Sequence, residues 1–274
     1  MKIEEISLKI RQEVLKMAVH ANGGHIAPAL SAADVITVLY FDNVLRYDAK
    51  NPNWNERDFF ILSKGHACLA LYSALARANF FPKEILKNFM QKDSILGGHP
   101  DMNKIPGVEA STGALGHGLL FAIGIAIANK MSKCPGQVYV MVGDGECEEG
   151  SIWEGVMSAV YHKLDNLVVI VDHNKFQAMD SLESIMGLHD LGKKFEAFGF
   201  SASEIDGHNH FEIRQALTER VTDKPRVVIA NTVKGKGISF MEGQPLWHCR
   251  MPNDKELKIA LKDLHMTEAE LNEL

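Results

Sequence analysis

Asp144 and Asn174 lie 30 residues apart, each just beyond an apolar run, residues 137–142 and 166–171. A carboxylate and a carboxamide are hard oxygen ligands of the kind Mg²⁺ takes, and that ion prefers about six oxygens, commonly sharing them with phosphate or water. Gly143 and Gly145 flank Asp144 and leave backbone N–H groups open to phosphate oxygens. The pattern describes a cradle for Mg²⁺ and a diphosphate. A second signal is histidine. Five of the 12 His follow a Gly directly (His25, His66, His99, His117, His208), where random placement among 22 Gly in 274 residues gives about one such pair. Tight loops here present imidazoles, the side chain that can donate, accept or carry charge near neutral pH.

Those residues need elements to hold them. The runs at 137–142 and 166–171 read as buried strands, and Glu149 to His162 between them as a helix, which makes a βαβ unit and a parallel pair. In such sheets ligands sit beyond the carboxyl ends of the strands, where Asp144 and Asn174 fall. Residues 58–62 and 226–231 give two more strands, and Phe211 to Val221 a helix. Apolar positions at Ile3, Ile6, Ile10, Val14 and Met17 predict an N-terminal amphipathic helix, ended by Asn22-Gly23-Gly24. Ser31 is expected to cap a second helix running to about Asn43, with Asp34 in its first turn. The stretch after Ser63-Lys64-Gly65-His66 reads as helical to near Phe81, and Pro82 as the start of a short helix. The tail, Asp254 to Leu274, reads as helical and peripheral. No repeat or linker divides the chain, so residues 1–274 are expected to form one α/β domain, a mainly parallel sheet with helices on both faces.

Composition narrows the function classes. With 29 Lys and Arg against 35 Asp and Glu the net charge is −6, which excludes nucleic acid as a bulk electrostatic partner. The longest apolar run, residues 118–128, is well short of the roughly 20 residues a membrane helix requires. Four dispersed cysteines without a Cys-x-x-Cys pair, and no secretory signal pattern, point to a reduced, cytoplasmic protein.

The ordered blocks Ser63-Lys-Gly-His-Ala67, Gly98-His-Pro100, Ser111-Thr-Gly-Ala-Leu-Gly116, Gly143-Asp-Gly145, Glu149-Gly150, Asp172-His-Asn174, Lys234-Gly-Lys-Gly237 and Trp247-His248 resemble the transketolase family, read from its N-terminal end. The resemblance covers residues 10 to 250 and points to the diphosphate-binding (PP) domain of the thiamine diphosphate-binding fold, in the form of a separate N-terminal subunit. It implies thiamine diphosphate and Mg²⁺ as cofactors, Ca²⁺ or Mn²⁺ being able to replace the latter. Asp144, Asn174 and the Phe176 carbonyl would hold the metal; Gly145 N–H and His66 would meet the diphosphate. Gly113, Ala114 and Leu115 would lie against the aminopyrimidine, and Glu146 and His248 beside the cofactor. His25, His66, His99 and His248 would act in the sugar channel, and Glu149 would face a partner across a dimer and link two active sites. The implied reaction moves a two-carbon ketol unit from a ketose phosphate to an aldose phosphate.

The same resemblance implies what this chain does not carry. The glutamate that activates the cofactor's pyrimidine and the arginines that grip sugar phosphate belong to a second, pyrimidine-binding (Pyr) domain, for which the stretch after residue 231 is too short. A C-terminal Pyr subunit in an α₂β₂ assembly is therefore expected, with this chain inactive alone. Ile26-Ala27-Pro28-Ala29, Ala114, His117 and Cys249 depart from the family pattern around the sugar channel, leaving the donor and acceptor open. Three alternatives stay open: a 1-deoxyxylulose-5-phosphate synthase-like enzyme, a transketolase acting on an unusual sugar, and a non-catalytic partner protein. Cys147 reads as a packed residue, and His208, His210 and His265 as surface residues.

Overall fold

A computed structural model describes residues 1–178 and 180–273. Helix α1 (Ile3–Ala21) ends as its apolar pattern predicts, but the left-handed residue is Asn22, at φ 47°. Helix α2 spans Ile26–Phe41 and is buried at every position except Phe41. It starts five residues before the expected Ser31 cap. Ser31 and Asp34 are interior, buried residues, so the expected helix start is corrected. Strand β1 (Phe59–Leu62) runs into a 3₁₀ turn, Gly65–Ala67, and helix α3 (Cys68–Arg77). A second 3₁₀ segment, Lys83–Asn88, follows Pro82, and the expected helix to Phe81 stops at Arg77.

Helix α4 (Gly118–Met131) leads into β2 (Val138–Gly143), and β2, α5 (Gly150–Tyr161) and β3 (Leu167–His173) form the expected crossover. Then come α6 (Leu182–Ile185), α7 (Leu191–Phe198), β4 (Ser201–Asp206), α8 (His210–Thr218) and β5 (Arg226–Asn231). The tail forms α9 (Asp254–Asp263) and α10 (Glu268–Leu271). It is less peripheral than expected: Ala260, Leu261 and Leu264 are buried, and the Leu264 carbonyl accepts a 2.8 Å bond from Gln12 on α1.

The sheet is parallel throughout, in the order β1-β2-β3-β5-β4. Successive side chains alternate between its faces. Phe60, Leu62, Tyr139, Met141, Val168 and Ile170 pack with α1, α2 and α3, while Ile61, Val140, Val142, Val169 and Val171 pack with α4, α5 and α7. Strand β4 was not legible in sequence: Ser-Ala-Ser-Glu-Ile-Asp lies at the sheet edge and none of its residues is buried. The carboxyl ends of β1, β2, β3 and β5 meet on one edge, and the loops leaving them build the site.

Candidate active site

A cavity of about 270 Å³ opens at that edge. Lys64 follows β1, Gly143, Asp144, Gly145 and Glu146 lie at the end of β2, Asn174, Phe176 and Gln177 follow β3, and Lys234 follows β5. His25, Pro28, His66, Gly113, Leu115 and His248 close the other walls. Asp144 caps the turn after β2, taking the Gly145 N–H at 2.8 Å. Its second oxygen takes the Lys175 N–H at 2.5 Å, because Lys175 adopts φ 70° and folds the chain back. Asn174 Oδ1 accepts the Phe176 N–H at 3.1 Å, and its amide reaches Ser31 at 3.4 Å. The Asp144 carboxylate, the Asn174 amide oxygen and the Phe176 carbonyl thus come from one turn and its neighbour.

Burial raises both Asp144 and Glu146, and their hydrogen-bond partners tell the two apart. The adjacent Asp172, wholly buried, is neutralised by Lys64 and hydrogen-bonded by Ser31 at 2.6 Å and by Thr232. Burial alone would raise its pKa, but the Lys64 ammonium and these bonds hold it below the usual carboxylate range. Glu146 is occupied by Ser63, the Gly116 N–H at 2.9 Å and the Gly143 N–H at 3.0 Å. Among the described residues Asp144 is held only by backbone donors, and burial together with Asp172 pushes its acid up to about 7. A buried carboxylate beside two neutral oxygens is a donor set that a hard divalent cation would stabilise in its ionised form, so these residues fit Mg²⁺.

The opposite wall is cationic and imidazole-rich. Lys64 and Lys234 are both buried, and Lys234 Nζ donates to the Gln177 carbonyl at 2.6 Å. Burial, then the like charge of Lys64, lower Lys234 to about 8. His25, His66 and His248 form a triangle with ring centroids 5.1 to 5.3 Å apart, and His99 stands 6.3 Å from His25. Burial depresses His25, His66 and His248, the last to about 3, with His99, Lys64 and Lys234 respectively the next largest influence. These three rings are neutral at pH 7 and able to donate and accept. The Nδ1 atom of His248 is buried without a partner among the described residues.

Most of the expected site residues therefore converge. Ala114 sits exposed between two lining residues, and His99 packs over Gly113. Glu149 lies outside the cavity, exposed at the start of α5. Cys147 is buried with its thiol 3.4 Å from the Gly143 carbonyl, as a packed residue. Sequence reasoning assigns Lys64 and Lys234 no role, although each follows a strand and stands inside a motif block. It also puts His208 and His210 at the surface, and the structure corrects this. Both are partly buried against Asp34, at 2.7 and 2.9 Å.

A family model described as the thiamine diphosphate binding domain of transketolase matches residues 4–271. The chain belongs to this family. Among its relatives, an apulose-4-phosphate transketolase subunit of Actinobacillus succinogenes is 43% identical, the match covering 96% of this chain and 95% of that one. The 6-deoxy-6-sulfo-D-fructose transketolase subunit SqwG of a Clostridium species is 39% identical over 92% and 91%. The solved transketolase of Campylobacter jejuni superposes with a TM-score of 0.91 at 33% identity, covering 97% of this chain and 43% of that one. The chain thus spans about two fifths of the solved transketolase it matches, and nearly all of relatives that are themselves named as transketolase subunits. It is a transketolase-type transferase in subunit form, with the family's thiamine diphosphate-binding domain.

Proposed function

We propose that this chain holds the Mg²⁺-diphosphate end of thiamine diphosphate and moves a two-carbon ketol unit between sugars when joined to a C-terminal subunit carrying a Pyr domain, as an α₂β₂ assembly. The observation that carries this reading is one cavity in which a buried carboxylate held by backbone N–H groups, Asp144, lies among two buried lysines and a cluster of neutral imidazoles.

Asp144, Asn174 and the Phe176 carbonyl would hold the metal; Lys64, Lys234, His66 and the Gly145 N–H would meet the diphosphate. Gly113, Ala114 and Leu115 would lie along the cofactor ring, with Glu146 fixing Gly116 and hence the loop that carries them. The bound cofactor supplies the carbanion-stabilising centre for carbon–carbon cleavage and formation. This chain's residues bind and orient it, and the rings of His25, His66, His99 and His248 bond the sugar hydroxyls and pass protons to and from them. Glu149, exposed at the head of α5, is placed to meet a neighbouring subunit. The donor we assign is a ketose with an anion at its far end, phosphate or sulfonate, the class spanned by the relatives' names.

Equimolar mixing with the C-terminal subunit is expected to give ketol transfer, and the assembly to bind thiamine diphosphate with Mg²⁺ by calorimetry. Asp144→Asn should remove the magnesium dependence of that binding. Robust turnover by this chain alone, or binding unchanged by Asp144→Asn, would overturn the reading. Xylulose 5-phosphate, fructose 6-phosphate, apulose 4-phosphate and 6-deoxy-6-sulfofructose form the donor panel that fixes the substrate.

A further inference from the structure

Behind the cavity wall a second polar cluster centres on Asp34, in α2. Arg11 clasps its carboxylate through Nη1 at 3.0 Å and Nη2 at 2.6 Å, and Ser7 also donates to it. His208 reaches Oδ2 from its Nδ1 at 2.7 Å, and His210 reaches Oδ1 at 2.9 Å. Burial favours the neutral acid at Asp34, but the bonds from both histidines and the Arg11 charge hold its pKa well below the usual carboxylate range.

The cluster does not touch the cavity, yet two of its members grip the turn that does. The Val233 N–H donates to His208 Nε2 at 2.9 Å, and Arg11 Nε donates to the Lys236 carbonyl at 3.1 Å. Between them the Gly235 N–H is fixed by the Ala27 carbonyl at 3.0 Å. Lys234 sits inside this clamp with its ammonium in the cavity wall. The bond directions also set the tautomer: an Nε2 that accepts from a backbone N–H carries no proton, so the ring proton is on Nδ1 and donates to Asp34.

We propose that His208, held by Asp34, is a positioning residue that orients the 232–237 turn and thereby places the Lys234 ammonium for anion binding. Asp34 fixes the tautomer, the bare Nε2 fixes Val233, and Val233 fixes the backbone entering Lys234. Arg11 repeats the device on the other side of the turn, from the same carboxylate. The inference rests on the reading of Lys234 as a diphosphate-binding group.

Two substitutions separate the two halves of the imidazole. His208→Gln keeps an acceptor near the Nε2 position, whereas His208→Asn keeps a donor near Nδ1 and leaves the Val233 N–H unpaired. The full chain is titrated with inorganic diphosphate and excess Mg²⁺, and amide exchange of Val233 is followed in parallel. Loss of the Nε2 acceptor frees the half-buried Val233 N–H, so His208→Asn is expected to weaken diphosphate binding and to speed Val233 exchange several-fold, with His208→Gln near the wild type. Equal effects of the two variants, or no effect of either, overturn the proposal. If Lys234→Met leaves diphosphate affinity unchanged, the reading of Lys234 fails, while Val233 exchange still decides whether His208 holds the turn. Should His208→Asn not fold, nitrogen-15 spectra of the unsubstituted chain decide: a bare Nε2 on neutral His208 supports the proposal, and a proton there overturns it.

Discussion

Burial sets the charge state of the groups around the cavity, and it does so in opposite directions for acids and bases. The same desolvation that raises Asp144 depresses His248 to about 3 from an ordinary value of 6.5. The sign of the consequence for stability is fixed. Below pH 6.5 the unfolded chain takes up a proton at His248 that the folded chain refuses until about pH 3, so this residue's share of stability is complete above 6.5 and is lost as pH falls through that window. His248→Gln should therefore flatten the acid limb of the stability curve between those two values, read by urea unfolding at a series of pH values. Unchanged slopes would show that the ring is charged in the folded chain. At this scale, what sequence could reveal depended on distance along the chain. Asp144 and Asn174 were legible because each stands at the end of an apolar run. His208 was not, because its partner Asp34 lies 174 residues away and nothing local distinguishes the pair from two surface side chains.

Helix α2 shows why elements can be misplaced even when their residues are noticed. An amphipathic helix announces itself by its period, but α2 is buried on every side and has no period to read. Ser31 and Asp34, which would signal a helix start on a surface element, are instead the polar contacts by which a buried helix is tied to its neighbours. Ser31 Oγ sits between the Pro28 carbonyl at 3.0 Å and Asp172 Oδ2 at 2.6 Å, and accepts from the Asn174 amide at 3.4 Å. Ser31→Ala leaves a buried carboxylate short of one donor and should lower stability by about 1–3 kcal/mol. Because Asn174 loses its anchor at the same time, magnesium-dependent binding should weaken along with it. Denaturant titration and calorimetry on one variant test both effects, and a variant as stable as the parent would show that α2 is held by its apolar contacts alone. The edge strand β4 was missed for the converse reason: with no buried residue its sequence carries no apolar signal, and only its pairing with β5 makes it a strand.

At the scale of the molecule, one face is finished differently from the rest. Helix α4 turns Leu120, Phe121, Gly124, Ala128 and Met131 outward, positions spaced so that they share one side, and none of them is charged. Leu115, in the cavity wall, is itself exposed, and Met157 and Tyr161 extend the surface onto α5, which packs against α4. Helix α4 starts three residues after Leu115, so this face adjoins the segment that lines the proposed cofactor site, which a C-terminal subunit would have to reach, and on α5 it includes the exposed Glu154. Gly124 is the informative residue. A Cβ built there meets nothing within 4 Å, so this chain's own packing does not require glycine in mid-helix, where it lowers stability by about 1 kcal/mol relative to good helix formers. Close approach of a C-terminal subunit, as proposed above, would account for a mid-helix glycine that its own chain does not need. Gly124→Leu should accordingly have opposite effects on two measurements, raising the melting temperature of the isolated chain while weakening its association with the C-terminal subunit in sedimentation or titration. A variant that gains stability and still assembles with unchanged affinity would place the subunit contact elsewhere on the molecule.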